Sequence, residues 1–249
     1  MNKKNSAFLI LLLSVSIQAQ VLEIGIDPSK KIETGDDLLE SMHQVFKIGP
    51  CKAYTFSQKN THYKNDSITG NSEWHESVEF PDKFRIDFGD TKDGNFVIFK
   101  KDSVYRYKNS VLKNTNYDSN TLLLLLGGMY YRSLSDVTLR LQNEHYNTHI
   151  LSTQKIGKEH FYVIGALKGD TLSNQIWVNK HNWKVFRIIE KMDETSIMDM
   201  TFDSYQKHCN GFVETKVTFK RNGKKEQVEE YYNIKEVSSF PPEVFNPKQ

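Results

Sequence analysis

The chain of 249 residues has few residues that punctuate a fold: six prolines, thirteen glycines and two cysteines. So little proline and glycine excludes collagen-like and low-complexity classes. Outside the N-terminus no apolar run approaches the roughly 18 residues that a spanning helix needs, which excludes a multi-helix membrane protein. Blocks of like charge are missing too, and 33 basic against 31 acidic side chains leave a net charge of +2. A balance near zero argues against nucleic acid, whose affinity comes largely from phosphate neutralisation, and against docking on anionic lipid. There is no CxxC, which excludes thiol–disulfide oxidoreductase chemistry. No GxSxG and no HExxH occurs, and Gly127-Gly128 follows an apolar run instead of opening a helix, so no phosphate loop is formed. His145 and His149 are four apart, but no Glu follows His145 and spacing supplies no third ligand for zinc. Glu73, His75 and Glu76 surround Trp74 and read as pointing off the apolar face. The expectation is therefore no enzyme, no cofactor and no metal.

What is present begins with an export signal. Lys3 and Lys4 precede an apolar stretch from Ala7 to Ile17, and Ile17-Gln18-Ala19 offers a cleavage site ending in a small residue. Residues 1–19 read as a cleavable signal peptide and 20–34 as a flexible lead-in, leaving 35–249 as one domain. No cysteine lies near the cleavage point for lipid attachment, so the expected location is the periplasm, soluble and not anchored. Loss of Lys3 and Lys4 brings the mature chain to zero net charge. Cys51 and Cys209 are exported with it, into a compartment that permits a disulfide; their pairing stays open on sequence alone.

Thr34-Gly35-Asp36-Asp37 predicts a helix start, and Leu38, Leu39, Met42, Val45 and Phe46 form one apolar stripe behind it, stopped by Gly49-Pro50. Period-2 runs follow: Tyr54, Phe56 and Gln58; Trp74, Val78 and Phe80; Phe84, Ile86 and Phe88; then Phe96 to Phe99 and Val104 to Tyr107. Leu122 to Leu126 is a run of leucines too short for a bilayer and reads as a buried helix, with Ser135-Asp136 capping another. Strands resume from Thr148 to Val237, with Gly157-Lys158, Asn210-Gly211 and Asn222-Gly223 at the joints. The total is about eleven or twelve strands.

One antiparallel sheet of that size must curl, and its concave apolar face needs cover. The expected fold is mainly β: an incomplete antiparallel barrel closed by a helical lid made of residues 36–47 and the leucine run. Its interior suits hydrocarbon. Candidate cavity residues are Leu39, Met42, Phe46, Phe56, Trp74, Phe84, Ile86, Phe88, Ile98, Leu123, Leu126 and Trp177. Met42, Met129, Met198 and Met200 suit an adaptable lining.

The order of these motifs carries a resemblance. The helix Asp37 to His43 precedes Thr55-Phe56-Ser57-Gln58-Lys59. Phe80-Pro81-Asp82-Lys83-Phe84-Arg85-Ile86-Asp87-Phe88 comes next, before Val97 to Tyr105 and Ile176-Trp177-Val178-Asn179. Over residues 36–245 this resembles the LolA/LolB-like lipoprotein-carrier family. The resemblance implies a cavity for acyl chains, loaded at the inner membrane by a releasing complex and emptied toward an outer-membrane acceptor by a monomeric carrier. A sensor of the same fold that regulates a partner is the alternative. Such carriers often have an Arg before the Pro of the strand-joining step; here Phe80 stands there, and Arg85 is the nearest Arg.

Overall fold

A computed structural model describes residues 31–46 and 51–246. The expected signal peptide, most of the lead-in and the Gly49-Pro50 stop lie outside the described residues. Half of the fold is laid down before the helices of the middle segment. Helix α1 (Gly35–Val45) leads into β1 (Ala53–Lys64), β2 (Ser67–Glu79), β3 (Lys83–Phe88), β4 (Phe96–Lys100), β5 (Ser103–Lys108) and β6 (Val111–Tyr117). Helices α2 (Thr121–Leu126) and α3 (Leu134–Asn143) follow, with a 3-10 turn between them. The chain then returns through β7 (Leu151–Ile156), β8 (Glu159–Ile164), β9 (Gln175–Asn179), β10 (Val185–Lys191), β11 (Ile197–Asp203), β12 (Gln206–His208), β13 (Gly211–Val213), β14 (Lys216–Arg221) and β15 (Lys224–Glu236).

Thirteen strands form one antiparallel sheet in the order β6-β5-β4-β3-β2-β1-β15-β14-β11-β10-β9-β8-β7, and β12-β13 form a separate hairpin. The sheet is open, with β6 and β7 at its edges. Alternation sets which side chains share a face, and tight turns set the register. Asn65-Asp66, Lys101-Asp102, Asn109-Ser110 and Asn222-Gly223 all hold φ between +49° and +77°, the left-handed pairs that two-residue hairpins require. At the expected joint Asn210-Gly211 the left-handed residue is Cys209, and Gly211 already belongs to β13. Strands were expected to resume at Thr148, but β7 opens only at Leu151, and Glu214 and Thr215 separate β13 from β14.

The topology explains the cover. Because β6 and β7 are opposite edges, the segment joining them must cross the sheet, and it does so as α2 and α3. Local caps fix each helix. Thr34 and Asp37 form a reciprocal capping box on α1. The Asn120 side chain accepts from Leu123 N at 2.9 Å to start α2. Ser133, not Ser135, caps α3, accepting from Asp136 N at 3.2 Å. Leu38, Leu39, Met42, Leu125, Met129, Val137 and Leu141 pack with Ile164, Ile176, Val178, Ile188, Met200 and Phe202 in the main core. Three short helices therefore fill one half of the concave face, that of β8 to β11. The half built on β1 to β4 and β15 receives little but the edge of α2.

The opposite face carries its own clusters. Phe240, Val244 and Phe245 of the C-terminal segment cover Phe96 and Ile98, and Phe161, Val163, Trp177 and Phe186 form a second patch. Cys51 and Cys209 are bonded, with Cα atoms 5.2 Å apart across a sequence separation of 158. The bridge ties the β12-β13 hairpin to the start of β1.

Candidate functional site

The uncovered half of the concave face encloses a cavity of about 700 Å³. That lies inside the ~300–1,000 Å³ range of small-molecule sites. Its floor is set by strand register. Tyr54 pairs with Val78, Val78 with Phe84 and Phe84 with Phe99 across four strands. The next row along holds Phe56, Glu76 and Ile86. The one beyond holds Tyr231, Gln58 and Trp74. Leu122, Leu123 and Leu126 of α2 form the roof, and Met192, Met198, Met200 and Phe219 close one wall. Trp74, Phe84, Ile86, Leu126 and Met198 face inward yet stay only half-buried. Their remaining exposed surface is cavity wall, so apolar area is held open here at a cost of about 25 cal/mol per Å².

Of the expected cavity residues, the structure brings together Phe56, Trp74, Phe84, Ile86, Leu123 and Leu126. The others are placed elsewhere. Leu39 and Met42 are buried in the packed core, as is Met129, so α1 fills the core here and does not roof the cavity. Phe46 lines a smaller hollow of about 40 Å³ beside Tyr130 and Tyr205. Phe88 lies on the concave side but meets Trp74 edge-on outside the cavity. Ile98 and Trp177 correct the expectation outright: both point to the opposite face, Ile98 under Phe245 and Trp177 beside Phe161. Each sits in a strand buried on both sides, where apolar character does not tell one face from the other.

Sequence reasoning missed the polar part of the site. Glu76, Glu214 and Glu229 line the cavity and are 4%, 5% and 8% exposed. Glu229 is satisfied: Tyr231 Oη donates to it at 2.7 Å and Gln227 Nε2 at 2.6 Å. Asn60 stands beside them, its Oδ1 accepting from Gln58 Nε2 at 2.6 Å and Gln227 Nε2 at 3.0 Å. Burial pushes all three carboxyls above the ordinary range: Glu214 rises to about 8, with the charge of Glu229 adding to it, and Glu229 to about 7 against hydrogen bonds from Tyr231, Gln227 and Gln58 that lower it. Glu76 is raised well above its usual value by burial and by the charges of Glu229 and Glu214. Strict alternation with Trp74 and Val78 was the available signal for Glu76, since period 2 puts all three on one face.

Helix-to-sheet contacts rim the site. Phe80, joined to Pro81 by a cis peptide, is 2% exposed. Its ring stacks on Tyr131 at 5.9 Å and lies against the backbone of Gly127. Arg140 of α3 donates to Asp102 in the β4-β5 turn at 2.5 Å, and Arg132 lies 3.9 Å from Asp82. Arg85 belongs to the other face, bidentate to Asp87 and stacked 3.9 Å over Phe96. His145 lies at the cavity rim, while His149 is exposed and 2.9 Å from Asp36. Among the described residues no helix is long and apolar enough to cross a membrane.

No protein-family model and no curated protein matches the sequence. Solved structures do match in fold. A DUF1329 family protein from Desulfovibrio piger superposes with a TM-score of 0.58 at 14% identity, covering 85% of this chain and 95% of that one. A LolA superfamily protein from Nitrosomonas europaea gives 0.56 at 12%, covering 85% and 97%. A domain named for outer-membrane lipoprotein sorting, from Vibrio parahaemolyticus, gives 0.58 at 12% with the same coverage. The fold is LolA-like: an open, mainly β sheet curved around a helical cover.

Proposed function

We propose that this protein, starting from that LolA-like fold, binds the acyl chains of lipids or lipoproteins in its cavity and carries them through the periplasm toward the outer membrane. The observation that carries the reading is the open apolar volume of about 700 Å³ between β1–β4 and α2. Its walls are aromatic, aliphatic and thioether groups, the last able to repack around chains of different shape. Burying one acyl CH₂ is worth about 0.8 kcal/mol, so a chain of ordinary length binds without a specific polar contact.

Entry exchanges one set of apolar contacts for another. The leucine roof is a helix of six residues held by Phe80 packing, while the part-buried ion pairs Arg132–Asp82 and Arg140–Asp102 fix the segment that follows it. Neither pair involves a residue of α2, so opening of the roof does not require breaking them. Cargo that replaces roof–sheet contacts by an equal apolar area keeps loading and unloading near balance. An export signal at residues 1–19, an inner-membrane releasing complex and an outer-membrane acceptor complete the proposal.

The test is native mass spectrometry of the exported protein isolated from membrane-containing lysate, paired with uptake of an uncharged fluorescent acyl-ester probe. The expected result is bound acyl species, probe uptake and loss of probe to acceptor vesicles. Protein that is free of lipid and takes up no probe refutes the reading. Uptake with retention in the presence of every acceptor favours a sensor of the same fold over a carrier.

A further inference from the structure

We propose that the occupant of the cavity is an amphiphile whose hydrocarbon carries a primary ammonium group, and that this group docks between the carboxylates of Glu76 and Glu214. The proposal rests on the acyl-binding reading and specifies the ligand class. Its first observation is an imbalance of satisfaction. Glu229 receives donors from Tyr231 and Gln227, whereas no hydrogen bond or ion pair from any other residue reaches Glu76 or Glu214 among the described residues. Both are more than nine-tenths buried and both line the cavity. A buried carboxyl without a partner is costly, and the cost is relieved when a ligand supplies the donor.

The second observation is the acidic make-up of the lining. Glu76, Asp118, Glu144, Glu190, Glu214 and Glu229 line the cavity, against Lys191 as the one Lys or Arg among the lining residues. Lys191 Nζ is already engaged with Glu194 at 3.1 Å. Glu190 and Glu144 accept from Tyr146 and Tyr117, and His145 stands beside them at the rim. Burial holds the Glu76 and Glu214 carboxyls largely protonated at pH 7 while the cavity is empty, and an ammonium placed between them ionises them by charge pairing. A phosphate- or carboxylate-headed lipid brings no cation to pair with them. An ammonium is compact, carries three donors and matches two unsatisfied acceptors, while Trp74 and Tyr231 line the cavity in the row beside Glu76. The rest of the amphiphile lies along Phe56, Ile86 and Leu126.

Isothermal titration of the exported chain with dodecylamine, dodecanol and dodecanoate at pH 7, each below its micellar concentration, tests this. Dodecylammonium is expected to bind at least about tenfold more tightly than dodecanol, with dodecanoate weakest. In Glu76→Gln/Glu214→Gln, amine affinity falls to the dodecanol level while dodecanol binding is unchanged, which also shows that the cavity persists. An amine no better than the alcohol, or a preference that survives in the double variant, overturns the proposal and leaves acyl binding standing. Failure of all three ligands to bind refutes both. Two further ligands separate the sources of such a group: a long-chain amino alcohol, and an acylated peptide with a free lysine. Glutamate-dependent tightening with either one supports the proposal and names the source; tightening with neither overturns it.

Discussion

Glu214 sits in the turn between β13 and β14, and burial lifts its carboxyl to about 8, with the charge of Glu229 adding to the rise. A group raised on folding stabilises the native state below its unfolded value, near 4.5, and loses that contribution as pH climbs through the folded value. The unliganded protein is therefore expected to lose stability between about pH 4.5 and 8. Glu214→Gln removes the part of this dependence that belongs to Glu214, leaving that of Glu76 and Glu229. Urea denaturation at pH 5 and pH 8.5 checks it: the variant should match the wild type at the lower pH. At the higher pH it should gain on the order of a few kcal/mol. A variant no more stable than the wild type at pH 8.5 contradicts the assignment of Glu214 as an uncompensated buried acid. At this scale the sequence was legible by parity alone. Phe56, Trp74, Phe84 and Ile86 fell on the cavity side because strand alternation put them there. Glu76 shares that parity, and reading it with its neighbours Glu73 and His75 as a polar cluster moved it to the wrong face. Glu214 had no such signal, because it lies in a turn whose direction depends on the hairpin before it.

Helix α2 shows what an element owes to its surroundings. Six residues are too few to hold a helix by propensity, so its position comes from packing. The decisive contact is at its end. A Cβ at Gly127 would come within 2.2 Å of the Phe80 ring, which is itself held between Tyr131 and Tyr54. At Gly128 a Cβ would meet the backbone oxygens of Pro81 and Leu123 at 2.7 and 2.8 Å. Gly127→Ala is expected to destabilise by about 1–3 kcal/mol through overpacking. Adding Phe80→Leu should recover part of that loss, because the smaller side chain makes room. Gly128→Ala should show no such recovery, since its obstacle is main chain. Thermal denaturation of the three single and two double variants, as two double-mutant cycles, distinguishes the cases. Additive losses at Gly127 and Phe80 would mean that this ring does not set the height of the roof. The leucine run was readable as a helix, but nothing local said that α1 would serve as filler and α2 as roof. That division follows from the pairing of β1 with β15, two strands far apart in sequence, which leaves one half of the concave face without a helix.

The whole molecule is held by a seam. Two meanders, β1 to β6 and β7 to β15, are paired in the sheet of the described residues only where β1 meets β15, so the fold depends on contacts of high sequence separation. Cys51 and Cys209 reinforce that seam, closing a separation of 158 residues. A loop of that length corresponds to about 5 kcal/mol in the chain-entropy model. The bridge also holds the β12-β13 hairpin, and Val213 at its end packs with Tyr54, Phe56 and Phe80 in the wall of the cavity. Glu214 is the next residue, so loosening the hairpin moves a carboxyl of the site as well as weakening the fold. Cys51→Ser/Cys209→Ser is therefore expected to lose about 2–5 kcal/mol of stability. It should also bind hydrocarbon ligands less tightly at a temperature where it is still folded. Reducing the wild type should reproduce both changes, and reduction of the double variant should add nothing. A reduced protein as stable as the oxidised one would make the bridge incidental to the seam. Full stability loss with unchanged ligand affinity would instead separate the hairpin from the cavity wall.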